Sequence, residues 1–106
     1  MDRKTIIKKL QVFRKNLSKD MPIRSMIFFG SRAWGKPHRD SDIDLIIVSP
    51  KFRRRRPLDR GLNLYEYWDL DYPVDFLCYT PEEFKKLSRQ ITVVKEAKEH
   101  GIKIGA

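Results

Sequence analysis

Two aspartates, Asp42 and Asp44, are separated by one position at the start of an apolar run that extends to Val48. Residues two apart on a β-strand point to the same face, so we expect both carboxylates side by side, with Ile43 and Leu45 turned towards a core. Ionised carboxylates on one face repel each other. Mg²⁺ is typically held by one or two carboxylates together with substrate phosphates. The pair therefore predicts metal-assisted phosphoryl or nucleotidyl chemistry, and a solvent-facing pair at a sheet edge is the alternative.

A third carboxylate, Asp75, lies within the apolar run Val74–Cys78. An unpaired buried carboxylate is unfavourable, so Asp75 is expected to need a cation, a helix N-terminus or a metal. If its strand pairs beside the strand of Asp44, all three carboxylates share one face. Such a set can hold two Mg²⁺ ions about 4 Å apart. A salt bridge between Asp75 and an arginine is the alternative.

A Gly-Ser turn, Gly30-Ser31, ends another apolar run, and ten residues separate it from Asp42. Glycine allows a positive φ and a close approach of the backbone to a ligand. The backbone N–H groups that follow, together with the Ser31 hydroxyl, can donate to phosphate oxygens. Arg32 adds a charge-assisted donor. We therefore predict that Gly30, Ser31 and Arg32 bind the phosphates of a nucleotide.

The combination of Gly30-Ser31, Asp42-Ile43-Asp44 and a later Asp75 resembles the DNA polymerase β-type nucleotidyltransferase superfamily. More narrowly, it resembles the minimal nucleotidyltransferases of bacteria and archaea, which are stand-alone domains of about this length. The resemblance implies that Asp42, Asp44 and Asp75 are catalytic metal ligands, with Asp75 the candidate base for the acceptor hydroxyl. It also implies a palm-like fold. The chain departs from the family at Trp34, where many members have arginine, so Trp34 is expected to stack on a base or to pack.

The resemblance further implies an enzyme, dependent on two Mg²⁺ ions with Mn²⁺ as an alternative, that transfers a nucleoside monophosphate and releases pyrophosphate. ATP is the favoured donor, and the acceptor is a hydroxyl. Minimal nucleotidyltransferases commonly pair with a small helical HEPN protein in toxin–antitoxin systems, where AMP is added to a tyrosine. Two other functions stay open: transfer to RNA or to a small hydroxylated molecule, and a non-catalytic module that masks a partner. The residues do not specify the acceptor.

The length of the chain predicts a single domain spanning residues 1–106, and its formal net charge is +9. A basic surface favours polyanions such as nucleotides, nucleic acid or an acidic protein face. The run Arg53–Arg56 is expected either to attract RNA, a nucleotide or an acidic partner, or to be a solvated loop. His38 is expected to be an exposed loop residue, with a phosphate contact as the alternative.

The single cysteine, Cys78, excludes an internal disulfide and suits a reducing compartment. It is expected to behave as a small buried hydrophobe rather than a nucleophile. No stretch approaches the roughly 18 apolar residues that span a bilayer. We therefore expect a cytoplasmic protein without a membrane segment.

The apolar spacing predicts an α+β fold in which helices cover a small mixed β-sheet, mainly on one face. Thr80-Pro81 with Glu83 is a strong helix start. Leu58, Leu62 and Tyr65 have helical spacing, which predicts a helix over 58–68. The remaining elements are helices over 2–19 and 92–99, a turn over 31–39, strands over 24–30, 42–48 and 73–79, and an edge strand over 102–104.

Overall fold

The computed structural model describes residues 2–35 and 41–105. His38 and the second half of the predicted turn over 31–39 lie outside the described residues. The helices are α1 (Arg3–Leu17), α2 (Ser31–Trp34), α3 (Pro81–Leu87) and α4 (Val93–His100), and the strands are β1 (Ser25–Phe29), β2 (Ile43–Val48), β3 (Val74–Tyr79) and β4 (Ile102–Lys103). Three 3₁₀ helices, Pro50–Arg54, Pro57–Asp59 and Leu62–Tyr67, lie between β2 and β3.

The strands form one four-stranded sheet in the order β3-β2-β1-β4. β1 is antiparallel to both β2 and β4, whereas β2 and β3 are parallel. A parallel pair needs a long crossover connection, and residues 49–73 provide it. The predicted α+β class and mixed sheet are confirmed.

The sheet separates two apolar layers because successive side chains on a strand point to opposite faces. The larger layer contains residues such as Phe28 and Leu45 together with an apolar stripe along α1, formed by Ile6, Leu10, Phe13 and Leu17. The smaller layer contains Phe29 and Ile46, which pack with Val94 of α4. The expectation of cover mainly on one face is therefore incomplete, since α4 also buries the second face.

The predicted helix over 58–68 is wrong. The segment contains two 3₁₀ helices, interrupted near Gly61, and Leu64 is its buried apolar residue. Leu58, Leu62 and Tyr65 are 95%, 65% and 54% exposed. A 3₁₀ helix has about three residues per turn, so the α-helical spacing of these residues does not produce a common buried face.

The helix start predicted at Thr80 is confirmed. The Thr80 hydroxyl accepts a hydrogen bond from the backbone N–H of Glu83 at 3.2 Å, and the Glu83 carboxylate accepts one from the N–H of Thr80 at 2.8 Å. This reciprocal capping box fixes the junction between β3 and α3. None of the helices formed by residues 2–35 and 41–105 is long and apolar enough to cross a membrane.

Candidate active site

Gly30 connects β1 to α2 and lies directly against the carboxylate of Asp44. Its backbone has φ 86° and ψ −172°, a conformation essentially restricted to glycine. A Cβ at this position would overlap Oδ2 of Asp44 and lie 3.1 Å from its Cγ. Because glycine has no side chain, the Gly-Ser turn can lie in direct contact with the carboxylate of Asp44.

Asp44 and Asp75 are direct neighbours across the parallel pair of strands. They are register partners of β2 and β3, and neighbouring strands lie about 4.8 Å apart. Both alternate with residues of the larger apolar layer, Leu45 and Phe76, so their carboxylates share the opposite face. Asp44 is partly buried and Asp75 is exposed. The structure therefore brings together two carboxylates that belong to separate motifs of the sequence pattern.

Asp42 is exposed and precedes β2 by one residue. Burial raises the pKa of Asp44 above its ordinary value, and the negative charges of Asp75 and Asp42 raise it further. The carboxylate of Asp44 is thus close enough to those of Asp75 and Asp42 to interact with both through their charges. None of the ion pairs among the described residues involves Asp75, so its predicted alternative, a salt bridge to an arginine, is not formed there.

The donor set fits a hard cation. Within the described ranges, no three histidine, cysteine, aspartate or glutamate side chains converge closely enough to hold a metal ion by themselves. Mg²⁺, however, usually keeps several waters and takes one or two carboxylates together with substrate phosphates. The adjacent carboxylates of Asp44 and Asp75, with the close approach of Gly30, match such an incomplete oxygen site. The assignment of Asp42, Asp44 and Asp75 as metal ligands stays a prediction.

Arg32 has a structural role that the sequence does not reveal. Its guanidinium is buried, donates from Nε to the backbone oxygen of Ser41 at 2.6 Å and lies 4.4 Å from the ring centroid of Tyr72. These contacts tie α2 to the residue that precedes Asp42. The predicted phosphate contacts of Gly30, Ser31 and Arg32 stay predictions, and Ser31 occupies the first, partly buried position of α2.

Trp34 closes the short helix α2. It is 42% exposed, and its ring centroid lies 6.3 Å from that of Phe29 at the end of β1. Of the two roles expected for Trp34, packing is present, at least for part of the ring. The exposed part leaves stacking on a base open as a prediction.

Arg60 is an organising residue that sequence reasoning misses. It is buried, and its Nη1 donates to Oε1 of Glu83 at 2.6 Å and to the carbonyl of Cys78 at 3.2 Å. Burial raises the pKa of Glu83, but hydrogen bonds from Arg60 and Thr80 outweigh this, so the pKa lies below its ordinary value. Nothing in the sequence distinguishes Arg60 from the nearby arginines. The one available signal is Glu83, because a glutamate fixed in a capping box can also accept a hydrogen bond from an arginine such as Arg60.

The run Arg53–Arg56 divides into paired and unpaired side chains. Arg53 pairs with Glu82, and Nε of Arg56 lies 2.8 Å from Oδ2 of Asp59. Arg54 is exposed and forms none of the ion pairs found in the described part of the chain. The run is therefore neither a fully solvated loop nor a fully free cationic surface.

Cys78 behaves as predicted. It is partly buried and packs against the larger apolar layer. Burial raises the pKa of its thiol to about 12, against the opposing charges of Arg60 and Arg55. A thiol with this pKa is protonated at neutral pH and is a poor nucleophile.

Residues 8–103 match the family model of the nucleotidyltransferase domain. The chain belongs to this family. The nucleotidyltransferase is 33% identical over 92 residues to a Haemophilus influenzae protein named Probable protein adenylyltransferase MntA, over 85% of this chain and 81% of that protein. Its fold aligns with the crystal structure of a protein from Sulfolobus solfataricus assigned as a nucleotidyltransferase, with a TM-score of 0.64 and 21% identity over 79% of this chain and 75% of the other. The resemblance to the polymerase β-type superfamily is confirmed, and the nucleotidyltransferase is an enzyme that binds a nucleoside triphosphate.

Proposed function

We propose that this nucleotidyltransferase transfers AMP from ATP to a protein hydroxyl, a tyrosine of a small helical HEPN-type partner in a toxin–antitoxin pair. The observation that carries the proposal is the close approach of Gly30 to Asp44, with Asp75 adjacent on the next strand. The name of the H. influenzae relative supports AMP as the transferred group and a protein as the acceptor.

Asp42, Asp44 and Asp75 would hold the metal, Mg²⁺ or Mn²⁺, and Gly30, Ser31 and Arg32 would orient the triphosphate. A divalent ion bound there supplies Lewis-acid stabilisation of the phosphate oxygens during in-line displacement. The carboxylates of Asp44 and Asp75 place negative charge on one face of the sheet, and the turn at Gly30 lies directly against the carboxylate of Asp44. Arg32 also fixes α2 against Ser41, which holds this turn in position.

In the proposed reaction, the acceptor oxygen forms a bond to the α-phosphorus as the bond between the α-phosphorus and the bridging oxygen breaks. Pyrophosphate leaves with the electron pair of that bond. The proton of the acceptor hydroxyl passes to the carboxylate of Asp75. Asp75 suits this role because it is the exposed member of the pair, so a bulky acceptor can reach it.

Asp75→Ala tests the proposal. We expect the variant to bind ATP with Mg²⁺ but to lose transfer by at least about a hundredfold, because misplacement of reacting groups alone has an effect of this size. The assay follows label from α-³²P-ATP to a purified HEPN-type protein, beside a calorimetric titration with ATP. Asp71→Ala is the matched control, since Asp71 is an exposed aspartate shortly before β3.

Wild-type transfer by Asp75→Ala would show that Asp75 does not act in the chemistry. Failure of the unmodified protein to bind ATP in the presence of Mg²⁺ or Mn²⁺ would overturn the proposal as a whole. Label on an RNA oligonucleotide or on a small hydroxylated molecule, with none on protein, would replace the proposed acceptor while retaining the activity.

A further inference from the structure

A pocket opens at the edge of the sheet, where β4 ends beside the start of β1. β4 pairs with Ile27 and Phe28 of β1, and the pocket, which we call the edge pocket, is lined by Ile27 and by Ser25 at the start of β1. Ser25 and Phe29 are the two ends of β1, roughly 14 Å apart at about 3.4 Å per residue. Gly30 follows Phe29, so the edge pocket is separate from the candidate active site.

The edge pocket carries charge of one sign. None of its described lining residues is acidic, and four are cationic: Arg14, Arg24, Lys98 and Lys103. No ion pair within residues 2–35 and 41–105 involves any of these four side chains. A cleft lined by charge of one sign concentrates ligands of the opposite sign. The edge pocket therefore favours an anionic ligand.

Arg14 supplies a positive charge that the fold already holds in place. Its Nη1 donates to the backbone carbonyl of Ile104 at 2.6 Å, and its Nη2 donates to that of Ile23 at 3.2 Å. Its Nε is buried and has no hydrogen-bond partner in the part of the chain that the structure describes. Because neutral carbonyls orient this guanidinium without neutralising it, its charge can act on an anion in the pocket.

An apolar wall completes the edge pocket. Met26, Ile27 and the partly buried Phe84 line it, and Nζ of Lys98 lies 6.0 Å from the centroid of the Phe84 ring. The volume of about 310 Å³ is within the range of small-ligand pockets. Aromatic rings stack on nucleobases, so a base can lie against this wall while its phosphate contacts the cations. A nucleoside monophosphate has both parts.

We infer that the edge pocket binds a nucleoside monophosphate in its metal-free form, as a second ligand site apart from the candidate active site. The carboxylates of Asp44 and Asp75 repel a phosphate that carries no metal ion, whereas the cations of the edge pocket attract it. Binding in EDTA therefore distinguishes the two sites. RNA fits less well, because a polyanion is bound by cations spread along many phosphates, whereas these four line one small pocket.

Calorimetry with AMP in EDTA at low salt tests the inference on the full chain. The double variant Lys98→Gln, Lys103→Gln removes two exposed cations of the pocket. We expect it to weaken AMP binding by about tenfold or more, as for loss of hydrogen bonds to a charged group. The control Lys4→Gln, Lys19→Gln removes the same charge from exposed residues outside the pocket and should bind AMP nearly as the unmodified protein does. The melting temperature and the binding of ATP with Mg²⁺ should be the same in both double variants.

Phe84→Leu tests the contact with the base. AMP should bind more tightly than inorganic phosphate, and Phe84→Leu should reduce this difference, because leucine keeps the apolar packing but removes the ring. Asp75→Ala should bind AMP in EDTA as the unmodified protein does, since Asp75 does not line the edge pocket.

Four outcomes would overturn the inference. The first is no AMP binding in EDTA by the unmodified protein, or equal binding by the two double variants. The second is equal affinity for AMP and inorganic phosphate, which would leave an anion site without a nucleoside. Loss of AMP binding by Asp75→Ala would place AMP in the candidate active site. Tighter binding of an RNA oligonucleotide than of AMP, weakened only by Lys98→Gln, Lys103→Gln, would assign the pocket to RNA.

Discussion

Replacement of Gly30 by alanine should disrupt the candidate site and the fold together. The backbone of Gly30 has φ 86° and ψ −172°, and a non-glycine residue in this region costs about 1–3 kcal/mol. The added methyl would overlap Oδ2 of Asp44 and lie 3.1 Å from Cγ, well inside the roughly 3.5–4.0 Å at which carbon atoms settle. Because β1 and β2 hold both backbones, either the turn or the carboxylate has to move.

Overpacking of this kind typically adds about 1–3 kcal/mol. The two effects together predict a loss of roughly 2–6 kcal/mol in the free energy of unfolding, which for a domain of this size lowers Tm by about 10 °C or more. Thermal unfolding by circular dichroism in EDTA measures this loss, and calorimetry with ATP and Mg²⁺ measures the accompanying loss of affinity. Gly105→Ala is the control, since nothing lies within 4 Å of the position of its Cβ.

A double-mutant cycle separates the two contributions. In an Asp44→Ala background the carboxylate is absent, so Gly30→Ala should lose only the backbone part, about 1–3 kcal/mol. Equal losses in both backgrounds would show that the contact with Asp44 has no energetic consequence. A Gly30→Ala protein with unchanged Tm and unchanged ATP affinity would refute the reasoning about both the conformation and the contact.

Three further predictions concern charge. Asp44→Asn should raise Tm of the metal-free protein in EDTA, because it removes a partly buried charge repelled by two others; an unchanged or lower Tm would contradict the repulsion. Arg60→Met should lower the free energy of unfolding at pH 7 by about 2 kcal/mol, the scale of a hydrogen bond to a charged group. Since the folded-state pKa of Glu83 is lowered, this difference should be present above its ordinary pKa of 4.5 and shrink as pH falls through the folded-state value, which urea titrations at several pH values will show. Replacement of Arg53–Arg56 by glutamine should change stability by less than about 1 kcal/mol per lost surface ion pair but weaken the binding of a polyanionic partner and flatten its dependence on salt; wild-type salt dependence would identify the run as a solvated loop.

The strands that carry Asp44 and Asp75 could be predicted because both residues lie in strong strand patterns, and period-two alternation assigns each side chain to the face opposite its apolar neighbours. The positive φ of Gly30 could likewise be predicted, whereas its close approach was expected to be to a phosphate and the structure shows one to the Asp44 carboxylate. In these places the local sequence determines the local geometry. The local sequence could not specify which strand pairs with β2. The pairing of β2 with β3 was a condition of the prediction, and the structure satisfies it.

The segment between β2 and β3 could not be predicted correctly because its apolar residues do not serve the core. Helical periodicity is informative only where apolar residues are buried by the fold. Leu58 and Leu62 have the spacing of a buried face but are exposed. Arg60 was missed for the opposite reason: a buried arginine in a row of surface arginines has no local sequence signal, and its burial depends on the tertiary position of Glu83.

The parallel pairing of β2 and β3 has a consequence for the order in which the enzyme matures. Asp44 and Asp75 are neighbours in the sheet but 31 positions apart in the chain. Non-local contacts of this kind are expected to form late, because the entropy of closing the intervening chain is lost before the contacts contribute favourable free energy. The β1–β2 hairpin can assemble with Gly30 and Asp44 in place before the crossover closes. During refolding, we therefore expect the hairpin to form before the protein can bind the metal–nucleotide complex, and a chain trapped before closure to contain Gly30 and Asp44 without the candidate base Asp75.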